Sequence, residues 1–119
     1  MLPVTHRLRQ KQDFQRVFRR GRLVRGRTLF LKICLSARVK TRIGIVVSNK
    51  IAAKAVARNL LKRRLRAAFL GLLPEIKDGF DLVAVGGPRL KQATVRGLKQ
   101  EIWSLLRQNN LIKIDRRLK

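Results

Sequence analysis

Acidic residues are scarce in this chain: six Asp and Glu stand against thirty Lys and Arg, for a formal charge of +24 at pH 7. There is one histidine and one cysteine. A protein nuclease normally works with clustered carboxylates holding metal, or with a histidine pair. The solitary His6 and the acids Asp13, Glu75, Asp78, Asp81, Glu101 and Asp115 promise neither. We therefore expect no catalytic residue and no metal site in the protein. Glu75, Asp78 and Asp81 come nearest to a cluster, but they span a Pro- and Gly-bounded connection and read as loop solvation. His6 reads as an ordinary exposed side chain near a terminus.

Cys34 stands alone within "LFLKICLS", which excludes a disulfide or a cysteine metal cluster inside one chain. It reads as a small half-buried hydrophobe on a strand. Long apolar runs are missing too. None approaches the ~20 residues of a spanning helix, and no signal-peptide hydrophobic region follows the basic N-terminal segment 1–9. The expectation is a cytoplasmic protein with no membrane partner.

What is present is enough apolar material for one core. With 45% hydrophobic residues in 119, a single domain over 1–119 is the expectation. Charge of this size repels itself, and a polyanionic partner is its usual counterpart. From Phe14 to Pro74 no acid interrupts the cations. A membrane surface would satisfy the same charge, but membrane-active chains tend to be one amphipathic helix, and here the apolar period changes along the sequence. Nucleic acid is the better reading.

"QDFQRVFRRG" spaces Phe14, Val17 and Phe18 as one face of a short helix, followed by arginines and by Gly21 as its stop. A small strand near Leu23 to Arg25 follows. Leu29, Leu31, Ile33 and Leu35 alternate with Phe30, Lys32, Cys34 and Ser36, and Ile43, Ile45 and Val47 alternate likewise, so both segments are strands. The short link "ARVKT" suggests that these two form an antiparallel hairpin. From Ala52 to Leu72 the period becomes helical, with Ala57, Leu61, Leu65, Ala68, Phe69 and Leu72 on one stripe. "FDLVAV" is a buried strand closed by Gly86, Gly87 and Pro88. Thr94 then caps a third helix carrying Val95, Leu98, Ile102, Leu105 and Leu106. The tail 110–119 has a weak pattern and is expected to fray. The order α-β-β-β-α-β-α gives an α+β two-layer sandwich: about four strands in one mixed sheet packed with three helices.

The second helix carries the most information about function. Arg58, Lys62 and Arg66 form one row and Asn59 and Arg63 the next, on the side away from the leucine stripe. Like charges at i, i+4 repel, and no Glu relieves them. Such a face fits phosphate contact better than plain solvation. On the first helix, Phe14 and Phe18 are one turn apart. That spacing suits core packing, or a stacking platform for single-stranded bases beside Arg and Lys.

Taken together these motifs resemble the protein subunit of bacterial ribonuclease P. The family's "DFxxVFxxG" helix is matched by Asp13, Phe14, Val17, Phe18 and Gly21, and its "VGxxVSKK" strand end is approximated by "IGIVVSNK". Its "RNRxKRxxR" helix is matched by Arg58, Asn59, Lys62, Arg63 and Arg66, with Leu60 where the second Arg usually stands. Gly86 and Gly87 occupy positions where relatives often carry Ala-Arg, and Lys32 one where an aromatic is common. The resemblance implies a ribonucleoprotein that removes the 5′ leader of precursor tRNA, with catalysis in the RNA subunit and its Mg²⁺ ions. Its partners would be ribonuclease P RNA and precursor tRNA, with no obligatory protein partner.

It also implies a left-handed strand-helix-strand crossover and a leader-binding cleft between the first helix and the sheet. Phe14 and Phe18 would line that cleft with partial burial, beside Lys32. Lys50, Arg58, Asn59, Lys62, Arg63 and Arg66 would face the catalytic RNA. A structural RNA-binding protein of the ribosomal type, without a processing role, is the alternative, and a DNA-compacting protein is a second.

Overall fold

The computed structural model describes residues 2–113. Three helices form where the apolar spacing is helical: α1 (Lys11–Arg20), α2 (Ala55–Leu72) and α3 (Val95–Gln108). On α2 the stripe Leu61, Leu65, Ala68, Phe69 and Leu72 is buried. Thr94 caps α3, its hydroxyl oxygen accepting from the Gly97 N–H at 3.0 Å. Gly21 ends α1 with extended backbone rather than a left-handed turn. What selects glycine there is space, because a Cβ would run into the carbonyl oxygen of Val17.

Four strands, β1 (Arg22–Arg25), β2 (Leu29–Leu35), β3 (Arg42–Val46) and β4 (Phe80–Gly86), form one mixed sheet in the order β1-β2-β4-β3. The hairpin expected between β2 and β3 does not form. β4 inserts between them, antiparallel to β2 and parallel to β3. The six residues 36–41 easily cross the ~10 Å of two strand spacings. They also bond to the chain entering β4: the Ser36 N–H donates to the Gly79 carbonyl at 2.9 Å, and the Thr41 hydroxyl to the Lys77 carbonyl at 2.6 Å. β4 takes the centre because Asp81, Leu82, Val83 and Ala84 are buried in succession, as a strand covered on both faces requires.

Alternation along the strands divides the interior. Leu29, Leu31, Ile33, Ile43, Leu82 and Ala84 face α2 and α3 in the main core. Val83 faces the other way and joins Val17 of α1 and Leu8, with Phe14, Cys34, Val46 and Val85 packed around them. The sheet and its two long helices make the expected two layers, and α1 lies across part of the opposite face.

Both ends of the described chain are docked. Leu2 and Leu8 are buried, and the Leu8 N–H donates to the Ile43 carbonyl at 3.0 Å. His6 is half-buried rather than exposed, its Nδ1 donating to the Thr41 carbonyl at 2.8 Å. Within the tail expected to fray, Leu111 is buried and Ile112 bridges Ile76. Residues 114–119 of the expected tail lie outside the described residues.

Candidate nucleic-acid interface

The position of α1 sets the shape of the second sheet face. Its N-terminal half sits over the start of β3 and β4, where four side chains interlock. Arg42 is buried and donates from Nε to Asp81 Oδ1 at 3.0 Å and from Nη2 to Asp81 Oδ2 at 2.9 Å. Arg42 also reaches Asp13 at 3.3 Å, and Arg16 bridges Asp13 and Asp81. Asp81 is fully buried, so its reading as loop solvation is corrected. Asp81 is near Glu75 and Asp78 in sequence, yet it already belongs to β4 and meets cations from β3 and α1. The hydrogen bonds to Asp81 raise the pKa of Arg42 further, against the opposing effect of burial.

From there α1 crosses the sheet. A Cβ on Gly44 would lie 2.5 and 2.6 Å from two atoms of the Phe14 ring, so the missing side chain lets that ring rest on β3. Val17 packs on Val83, and Gly21 comes against Ile33 of β2. The next row along the sheet, Val46, Val85, Phe30 and Arg25 in register across the four strands, is left partly open beyond the helix. Phe18, one turn after Phe14 on α1, is 39% exposed. Lys32 shares the face and donates from Nζ to the Gly21 carbonyl at 3.4 Å, at the end of α1. This partly open row combines apolar and aromatic side chains with Arg25 and the neighbouring Lys32, a combination that can accept stacked bases with a phosphate chain beside them. Phe14, half-buried, and Lys32 share this face; Phe18, on the same helix, is more open.

β3 and β4 run toward the start of α2, which places Lys50 beyond that same end of the sheet. Lys50, Asn59, Arg63 and Arg66 are exposed, and Arg58 and Lys62 are half-buried. All six lie off the buried stripe. Arg58 is partly engaged already, donating to the Ala52 and Ala53 carbonyls at 3.1 and 2.7 Å, which fixes it over the loop entering the helix. Leu60 is 47% exposed, on the polar side where the helical wheel puts it. Arg64 turns away to the Ala93 carbonyl at 3.4 Å.

No sequence motif marks Phe30, Val46, Val85 or the Arg42–Asp81 pair. Phe30 carried a usable signal, being an aromatic on the outward phase of an alternating strand. The ion pair carried none, since its partners are far apart in the chain. Among the described residues no three His, Cys, Asp or Glu side chains converge as metal ligands. Asp13 and Asp81 are both engaged by arginines. No helix among the described residues is long and apolar enough to cross a membrane.

Known proteins share this sequence pattern and fold. The Ribonuclease P family profile matches residues 2–110. A ribonuclease P protein component from a Pseudanabaena species is 49% identical over 84 residues, covering 70% of this chain and 72% of its own. One from a Picosynechococcus species is 36% identical over 107 residues, covering 90% and 92%. Among solved structures, the Staphylococcus aureus RNase P protein superposes with a TM-score of 0.79 at 26% identity, over 91% of this chain and 98% of that one. The Thermotoga maritima RNase P protein gives 0.77 at 28% identity, over 86% and 96%. With sequence and fold in agreement over nearly its whole length, the chain belongs to the ribonuclease P protein family.

Proposed function

We propose that this chain holds RNA on two surfaces that meet at one end of its sheet. Lys50 and the outer face of α2, through Arg58, Asn59, Lys62, Arg63 and Arg66, grip the catalytic RNA. The cleft beside α1 receives the 5′ leader of precursor tRNA, with Phe14 and Phe18 against its bases and Lys32 near its phosphates. The protein is the non-catalytic component of an endoribonuclease that matures tRNA 5′ ends, and the catalytic centre lies in the RNA component. Mg²⁺ serves that RNA-based catalysis and is held mainly by RNA, in keeping with carboxylates already bound to arginine. The particle works in the cytoplasm.

One observation carries the two-surface reading: the open row Val46, Val85 and Phe30 ends at the side of the sheet from which Lys50 and α2 emerge. A leader lying on the floor leads directly to the basic helix. Phosphate contacts there would position the RNA without reading its sequence. The test is reconstitution of the chain with ribonuclease P RNA at moderate Mg²⁺. Cleavage of precursor tRNA should rise, and should rise less with Arg63→Ala or Phe18→Ala. An unchanged rate, or tight binding to plain duplex DNA without preference for structured RNA, would defeat the reading.

A further inference from the structure

A third cationic surface lies on the far side of α1 from the leader cleft. Arg7 and Arg9 of the N-terminal segment and Arg38 and Lys40 of the β2–β3 connection face one another across an open cavity of about 460 Å³. That volume falls in the range of ligand-holding clefts, about 300–1,000 Å³. No acid lines it. Arg42 forms part of its wall, but that guanidinium is taken by Asp81 and Asp13, so the cations open to a ligand are the other four.

The two walls are fixed to each other. Leu8 N–H and His6 Nδ1 bind the carbonyls of Ile43 and Thr41, and Arg7 bridges Ile43 as an added parallel strand residue. Arg7 Nε is held by the Leu2 carbonyl at 2.7 Å, leaving its terminal amino groups free to point elsewhere. The rim is also apolar in two places, with Val4 60% and Val39 75% exposed. Cations that converge without acids, beside exposed apolar groups, match a sugar-phosphate chain better than a simple counter-ion.

We propose that this cavity is an additional RNA-backbone site, taking a phosphodiester segment with its riboses against Val4 and Val39. The inference rests on the reading of the chain as an RNA-binding component, and adds a contact region separate from both surfaces described above. On β3 the cavity wall at Arg42 lies ~13 Å from the leader floor at Val46, with α1 between. A strand held here is therefore distinct from the leader segment in the cleft. It comes either from the catalytic RNA or from another part of the precursor.

The experiment uses the full chain with Arg38→Ala, Lys40→Ala and the double variant. It measures the salt dependence of assembly with ribonuclease P RNA, and of holoenzyme binding to precursor tRNA with long and with trimmed leaders. Each single substitution should reduce the slope of log K against log salt by about 0.7–0.9 in one of these arms, and the responding arm identifies the source of the strand. The loss should be equal for long and trimmed leaders. Arg38→Lys should keep the full slope, and circular dichroism should show the variants folded. Lys91→Ala removes an exposed charge outside the cavity and should leave the slope unchanged. Unchanged slopes for the double variant while Lys62→Ala lowers its own would overturn the cavity site and spare the α2 reading; silence of both overturns both. An equal drop with Lys91→Ala would reduce the effect to general charge and also sink the site.

Discussion

Arg42 and Asp81 stand directly opposite each other on the parallel pair β3 and β4, joined by two hydrogen bonds of 3.0 and 2.9 Å with Asp81 fully buried. The pair ties together the centre and edge of the sheet, and through Arg16 and Asp13 it fixes α1 above them. Removing Asp81 leaves the buried Arg42 with only its longer 3.3 Å contact to Asp13. Asp81→Ala should therefore cost about 3–5 kcal/mol in a urea unfolding curve. A loss under about 1 kcal/mol, the size of an exposed pair, would show that the network is dispensable.

The pH behaviour of Arg42 follows from the direction of its shift. Its folded pKa is raised, so the stabilisation linked to its charge is complete below the ordinary arginine pKa and is lost only as pH rises through the higher folded value. Stability should show no step assignable to Arg42 between pH 6 and about 9. Comparing unfolding of the parent chain and Arg42→Ala across that window tests this, and a gap that closes with rising pH would contradict it.

Phe18 and Phe14 should separate binding from folding. Phe18→Ala should weaken holoenzyme binding to long-leader precursor by ~1–3 kcal/mol and leave trimmed substrate almost untouched. Phe14 lies against Gly44, so Gly44→Ala should displace its ring and cost about 1–3 kcal/mol of stability by overpacking. Equal losses of long-leader and trimmed substrate with Phe18→Ala would place that ring outside the cleft.

On α2 the two faces should respond oppositely. Lys62→Ala and Arg66→Ala should each reduce the salt slope of RNA binding by about 0.7–0.9, with melting almost unchanged. Leu65→Ala should cost roughly 2–5 kcal/mol of stability and leave the slope of the folded fraction alone. Leu60→Arg, at an exposed position, should steepen the slope. Equal melting shifts for Lys62→Ala and Leu65→Ala would end the two-face assignment.

The protein by itself should cleave nothing. Purified chain with precursor tRNA and Mg²⁺ but no RNA component is the assay, and 5′ cleavage abolished by a carboxylate substitution would refute a purely RNA-based centre.

The sequence alone determined the polyanionic partner, the three helices and the phases of the strands. These depend on composition and on periods of 2 and 3.6 residues, which are local properties. It placed Leu61, Leu65 and Phe69 inward and the α2 cations outward, because a helix has one apolar side and the spacing displays it. The family was legible as well, in motifs spread along the chain. Only the tertiary structure decided that β4 enters between β2 and β3, since a six-residue link spans one strand gap or two. It likewise decided that α1 lies on the face opposite α2 and α3. An amphipathic helix records that one side is buried, not which sheet face buries it. The partly open row beside α1 and the contacts of α1 with the Arg42–Asp81 pair both follow from that choice. Asp81 read as a loop acid because its cations are 39 and 65 residues away, and burial with a paired charge is visible only once the chain has closed on itself.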